Sequence, residues 1–326
     1  MRRYLLLRLV WAGPIVLSIL TINFLVIHLV PGDPVQALVG DFPTPPGYVE
    51  AVRHEFGLDQ SLGTQLWRYL ANLAHGNLGF SFANRQPVLT VIAARSRLTL
   101  LLMLPALAAA AIVGVVLAVF ASRRPGGALD GSLTALSLFG YSVPIFWLGQ
   151  ILIVVFAVWL RWLPAQGMTS LRESPTGVAA VLDVAWHLVL PAFSVTIYYV
   201  AVVARVARAA MLDALQQDFV LTARSKGLSS ERVLWRHVLP NALIQVVTVV
   251  GYNFGASLTG AIFVESVFAW PGLGNLFMTS IANRDYPVLQ GIFLVTSLSV
   301  VLANLMTDLL YGVIDPRVRG DAPSHG

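Results

Sequence analysis

Six apolar segments, each of about 20 residues, decide what solvent this chain can fold in. They fall near residues 9–30, 98–121, 136–160, 187–207, 241–264 and 288–312. About 20 apolar residues in a helix cross the roughly 30 Å hydrocarbon core of a bilayer. Lipid offers no partner to backbone N–H and C=O groups, so segments this long and without alternation must satisfy their backbones internally, as helices. The expected fold class is therefore all-α integral membrane, with six transmembrane helices. Composition agrees: 11% of residues are charged, where a water-facing domain needs roughly a quarter.

The net charge of +5 would suggest nucleic acid in a soluble protein. Here the basic residues sit in short segments beside the apolar runs, which is what topology demands, and no nucleic-acid partner is expected. With the N-terminus inside, Arg2, Arg3, Arg8, Arg123, Arg124, Arg205, Arg208, Arg224, Lys226, Arg232, Arg236, Arg317 and Arg319 all fall on the inner side. Both termini are predicted to be cytoplasmic. The domain reading is 1–30 as a retained first helix, 31–97 as a long extracytoplasmic loop, 98–317 as a five-helix core and 318–326 as a cytoplasmic tail.

The long loop carries helix signals of its own. Pro46 is placed to start a short helix that Gly57 stops. Leu62, Leu66, Trp67, Leu70 and Leu73 then form one apolar face in "QSLGTQLWRYLANLAHG", which suits an interfacial helix. It serves equally as a lid on the span ends or as a docking surface.

Catalytic patterns are absent from the sequence. It contains no G-x-x-x-x-G-K-[ST], H-E-x-x-H or G-x-S-x-G, its six histidines are scattered, and it has no cysteine. No metal site or catalytic residue is expected. Ionisable and amide groups in or beside the spans are few, and such groups face a bundle interior or a water-filled path. Asn253, Glu265 and Asp308 are the candidate pathway residues on that ground, with interhelical hydrogen bonding as the plainer role. Gly251, Gly255, Ala256, Ser257 and Gly260 make one span rich in small residues, suited to close approach by another helix or a second subunit.

The densest positive charge lies between spans, in "FVLTARSKGLSSERVLWRHVLPNAL" at 219–243. Residues 218–226 read as a short helix, Gly227 as its left-handed stop, and Ser229 or Ser230 as the cap of a second helix with Glu231 in its first turn. Pro240 is expected to break that helix and begin the next span. The predicted coupling loop, 213–240, is a shaped cationic knuckle. Charge alone would allow it to bind lipid headgroups.

This segment resembles the cytoplasmic EAA loop of ABC importer permeases: E-A-A, three residues, Gly, nine residues, I-x-L-P. Ala223, Gly227, Leu239 and Pro240 match, while Leu221, Thr222 and His237 replace the Glu, first Ala and Ile. "VLTARSKGL" is similar to the peptide-permease form V-x-T-A-R-A-K-G-L. The likeness extends through "HLVPGDP", "FGLDQSL", "GNLGFSF", "SVPIFWLG", "VFAWPGLGNL", "RDYPVLQG" and "DLLYGVIDPRVR". By these motifs the chain resembles the DppB/OppB family of dipeptide, oligopeptide and nickel importer permeases.

The resemblance implies the type I ABC importer fold in the cytoplasmic membrane of a prokaryote. It implies as partners a second, DppC/OppC-like permease, two ATP-binding subunits that hold ATP and Mg, and an external substrate-binding protein. The chain itself would hold no cofactor. Ala223, Arg224, Lys226, Gly227, Leu239 and Pro240 become the expected ATPase-coupling residues, with Gly227 as elbow. Alternating access would move peptides, with a nickel chelate or a glutathione-like compound as alternative cargo. A self-contained channel or membrane anchor is the alternative from another class.

Overall fold

A computed structural model of the chain describes residues 2–29, 47–55, 57–81, 83–170 and 175–314. Among them helix dominates. Helix α1 is Arg2–Leu29, α2 Tyr48–Glu55 and α3 Leu62–Ala74. A two-stranded hairpin, β1 Phe80–Ser81 with β2 Gln86–Pro87, precedes α4, Val88–Ser122. Then come α5 Ala128–Ser142 and α6 Ile145–Leu152, the latter continuing as a π-helical turn, Ile153–Trp159. Helix α7 is Val178–Leu215, α8 Asp218–Ser225, and α9 Ser230–Val233, which runs through a second π turn, Leu234–Val238, into α10, Leu239–Val267. Helix α11 is Leu273–Ala282 and α12 Tyr286–Ile314.

Helix covers all six apolar segments. Among the described residues, four helical stretches are each long and apolar enough to cross a membrane, at Val88–Ser122, Val178–Leu215, Ser230–Gly255 and Tyr286–Thr307. In α1 the apolar stretch Val10–Val26 is shorter. The third segment departs from expectation: instead of one straight helix over 136–160, α5 and α6 meet at a 98° bend. Pro144 explains it, since proline cannot donate to the preceding turn and drives the residue before it out of helical conformation. Val143 is accordingly extended (φ −83°, ψ 124°). The 31–97 loop also ends earlier than its predicted boundary, because α4 begins at Val88. Helices α2 and α3 form where the sequence placed them, with Gly57 at φ +65° behind α2. Pro46 and the tail 318–326 lie outside the described residues.

The chain divides into two compact units. One is made of residues 100–270 and 300–326, and the other of 2–99 and 271–299. In the first, α7 is central, packed by α5, α6 and α10. Leu102, Met103, Leu190, Tyr199, Val264, Phe268 and Trp270 fill one core. The small-residue prediction is answered within this unit, where Gly251 packs on Thr307 and Gly255 on Ala303 of α12.

In the second unit, α3 leans on α1. Phe24 stacks on Tyr69 at 5.7 Å, and His28 bonds the Gln65 side chain at 3.2 Å. Burial pushes the Tyr69 phenol up to about 12. The Ser81 hydroxyl donates to Asp285 at 2.5 Å, a buried bond spanning 204 residues of sequence. Arg95 donates to the Pro271 carbonyl, and the Leu273 N–H donates to Thr99. Three stretches far apart in sequence, "GNLGFS", "PGLG" and "RDYPVLQG", thereby belong to one unit.

Candidate functional site: the basic knuckle

Helix α8 opens with Asp218 in its first turn, where a carboxylate favours the positive end of the helix dipole. Val220 and Ala223, three residues apart, are buried against Val233, Leu234 and Val238 and against Ala210, Met211 and Ala214 of α7. Spacing of three puts them on one face, so Leu221, Arg224 and Ser225 turn outward and are exposed.

The helix ends in two bonds. Gly227 N–H donates to the Arg224 carbonyl at 2.9 Å and Leu228 N–H to the Ala223 carbonyl at 3.3 Å. This is the Schellman pairing, and it needs a left-handed residue. Gly227 supplies it at φ +76°, with open space where a side chain would begin. Ser229 then caps α9 by accepting from Arg232 N–H at 3.4 Å. An apolar underside holds the knuckle down while Arg224, Lys226, Arg232 and Arg236 remain exposed on the other side. The result is a rigid cationic projection.

The expected break at Pro240 does not occur. The helix runs from Ser230 into α10, and the π turn at Leu234–Val238 absorbs the proline. Leu239 N–H reaches five residues back to the Leu234 carbonyl, the wider spacing of a π turn. Asn241 adds a side-chain bond to the His237 carbonyl at 2.7 Å. Leu239 and Pro240 thus lie inside a continuous rod, not at a joint.

One ionic contact ties the knuckle to the segment after α4, and a second joins that segment's far end to α7; neither pairing was expected from the sequence. Arg123, in the segment after α4, donates to Glu231 at 2.7 Å. Asp130, buried at the start of α5, accepts from Gly126 N–H and pairs with Arg208 of α7. A lone acid just past the Pro-Gly-Gly of "RRPGGALD" was the available signal.

The three pathway candidates do not form one site. Asn253 and Glu265 are twelve residues apart on α10, about 18 Å of helix. The Asn253 amide bonds the Val249 carbonyl within its own helix, and Glu265 is fully buried. The Asp308 side chain lies outside the described residues, though its backbone belongs to α12.

Residues 110–320 match the protein family described as Binding-protein-dependent transport system inner membrane component, and residues 1–103 match the family described as its N-terminal membrane component. This chain belongs to that family. It is a multi-pass transport permease of the ABC importer class. The permease is 41% identical over 321 residues to the di/tripeptide transport system permease protein DppB of Pseudomonas aeruginosa, covering 94% of this chain and 95% of the relative. It is 37% identical over 336 residues to the dipeptide transport system permease protein DppB of Escherichia coli K12, covering 98% and 99%. A solved amino acid ABC transporter with histidines aligns at TM-score 0.48 and 14% identity, over 70% of this permease and 94% of that chain.

Proposed function

We propose that this permease moves di- or oligopeptides across the cytoplasmic membrane by alternating access, driven by ATP hydrolysis in partner subunits that grip the knuckle. The observation that carries the reading is the knuckle's two-sidedness: an apolar underside locked to α7 and a rigid basic face with an exposed Leu221 beside it. Headgroup binding requires charge but no such shape. Ala223 anchors the knuckle and Gly227 sets its elbow, Arg224 and Lys226 face the ATPase, and Leu239-Pro240 carries displacement into α10. ATP-driven closure of the partners biases the equilibrium between outward-open and inward-open states.

Both termini are cytoplasmic in this proposal, so the knuckle faces ATP. The partners are a second, DppC/OppC-like permease, two ATP-binding subunits that hold ATP and Mg, and an external binding protein. Peptide is the cargo in the names of the relatives, and their full-length similarity supports the same class here.

The test is ATP hydrolysis by the two permeases and two ATP-binding subunits assembled in liposomes, with dipeptides, oligopeptides and nickel chelates offered on the binding protein. Stimulation by peptide is the expected result. Stimulation by a nickel chelate alone overturns the cargo, and failure of any ATPase to assemble overturns the importer mechanism. Arg224→Glu with Lys226→Glu is expected to weaken capture of the ATPase; unchanged capture assigns the basic face to lipid.

A further inference from the structure

Helix α7 carries two arginines about one turn apart that meet opposite surroundings. Arg208 is ion-paired with Asp130. Arg205 has no carboxylate partner among the described residues, and its guanidinium lies 5.0 Å from the ring centre of Tyr141. Tyr141 in turn stacks on Tyr198 at 6.0 Å. Arg205 is exposed, and Tyr141 is 50% exposed.

The position of this cluster follows from helix geometry. Helices α5 and α7 run antiparallel, with Asp130 opposite Arg208 and Gly140 against Ala201. Tyr198 is ten residues along α7 from Arg208, about 15 Å at 1.5 Å per residue. Arg205 itself lies three residues, about 4.5 Å, from Arg208 on the way to Tyr198. Tyr141 is the penultimate residue of α5, so the 98° bend follows immediately. Arg205 therefore reaches back towards mid-span, the direction helical side chains take, and away from the ion pair behind it.

A guanidinium that reaches the Tyr141 ring beside a bent span is costly if it faces lipid, and irregular backbone within a span is tolerated only inside protein or along a water-filled cavity. The face of α4 bearing Ile112, which is 67% exposed, shows the apolar surface that suits lipid. The Arg205 surface is its opposite: a cation held on an aromatic ring beside a broken helix.

We propose that Arg205, Tyr141 and Tyr198 form a station on the transport path that receives the carboxylate of the passing solute. The guanidinium offers paired N–H donors matched to two carboxylate oxygens. The rings hold it in place by cation–π contact. The placement on the path stands on geometry alone, whereas the carboxylate as ligand rests on the peptide reading.

The absence of cysteine from the chain makes a direct test available in vesicles carrying the assembled transporter. Ser142→Cys, beside the cluster, is treated with anionic and cationic water-soluble thiol reagents, and Ile112→Cys serves as the lipid-facing control. The expected result is modification at 142 only, with the anionic reagent favoured about tenfold. Arg205→Gln removes that preference and Arg205→Lys keeps it. An unmodified Cys at 142, or a preference indifferent to Arg205→Gln, overturns the placement.

A second arm adds alanyl-alanine or its C-terminal amide during labelling. Protection by the free acid alone is expected; equal protection by both, or by neither, overturns the carboxylate assignment. Labelling reads the site without ATP turnover, so failure of the importer mechanism would be visible separately.

Discussion

The knuckle around Gly227 and the clasp around Asp285 each turn on a glycine and a few polar groups, yet they are built in opposite ways. At the knuckle the chain is shaped by a left-handed residue facing empty space, and the polar groups point outward. At the clasp Gly291 is wedged where a Cβ would lie 2.5 Å from Ile92 and 2.8 Å from Val88, and the polar pair Ser81–Asp285 is buried. One region takes its bend from backbone conformation above a packed underside and leaves its outer surface unused; the other owes its form to packing around buried polar groups. Substitutions should therefore cost function in the first and stability in the second.

The sharpest way to break this contrast is Gly227→Val. A β-branched residue is strongly disfavoured at positive φ, so the elbow should reshape and coupled transport should be lost, while membrane yield stays at wild-type level. Normal peptide uptake by a well-expressed variant would remove the knuckle from the mechanism. Next in size is Gly291→Val, expected to lower stability by about 1–3 kcal/mol through overpacking. Thermal unfolding of the detergent-solubilised transporter measures it, and an unshifted transition would show that α12 and α4 can separate without penalty.

Asp285→Ala should follow at about 2 kcal/mol, the scale of a lost buried hydrogen bond to a carboxyl group. Ser81→Ala in the same background should then remove only the two bonds its hydroxyl accepts from the Asn84 N–H and side-chain amide, so the double variant should lose less than the sum of the singles by the worth of the shared bond; strict additivity would show that the two residues act separately. Smallest is Glu231→Ala. Its bridge to Arg123 is exposed on both sides, and such pairs contribute no more than about 1 kcal/mol. Its unfolding temperature should match wild type, and a large drop would mean that the bridge to Arg123, and not the apolar underside alone, holds the knuckle in place.

The parts of this molecule that rest on local chemistry were legible in its sequence. The elbow at Gly227, the Ser229 cap and helices α2 and α3 follow from short-range rules that one string of residues expresses completely. Proline was less transparent, because its effect depends on what surrounds it. Pro240 looked like a break, but the π turn before it lets the helix continue. Pro144 sat unnoticed inside an apolar segment and bends it by 98°. Long-range pairings were invisible: "GNLGFSF" and "RDYPVLQG" could be quoted as motifs, but nothing in either string says that Ser81 meets Asp285. Asp130 escaped notice because it lies outside the predicted span, and Arg205 because it was counted only as a topological charge.

The Arg123–Glu231 and Arg208–Asp130 contacts also differ in how they would carry force. Glu231 holds Arg123 in the open, while Asp130 holds Arg208 and the Gly126 amide in a buried setting. Residues 123–130 thus join the knuckle to the foot of the bent helix by a route that bypasses the π turn. Salt weakens exposed ion pairs far more than buried ones, so this strut has one compliant end and one stiff end. Raising ionic strength would slacken its grip on the knuckle while leaving the bent helix anchored.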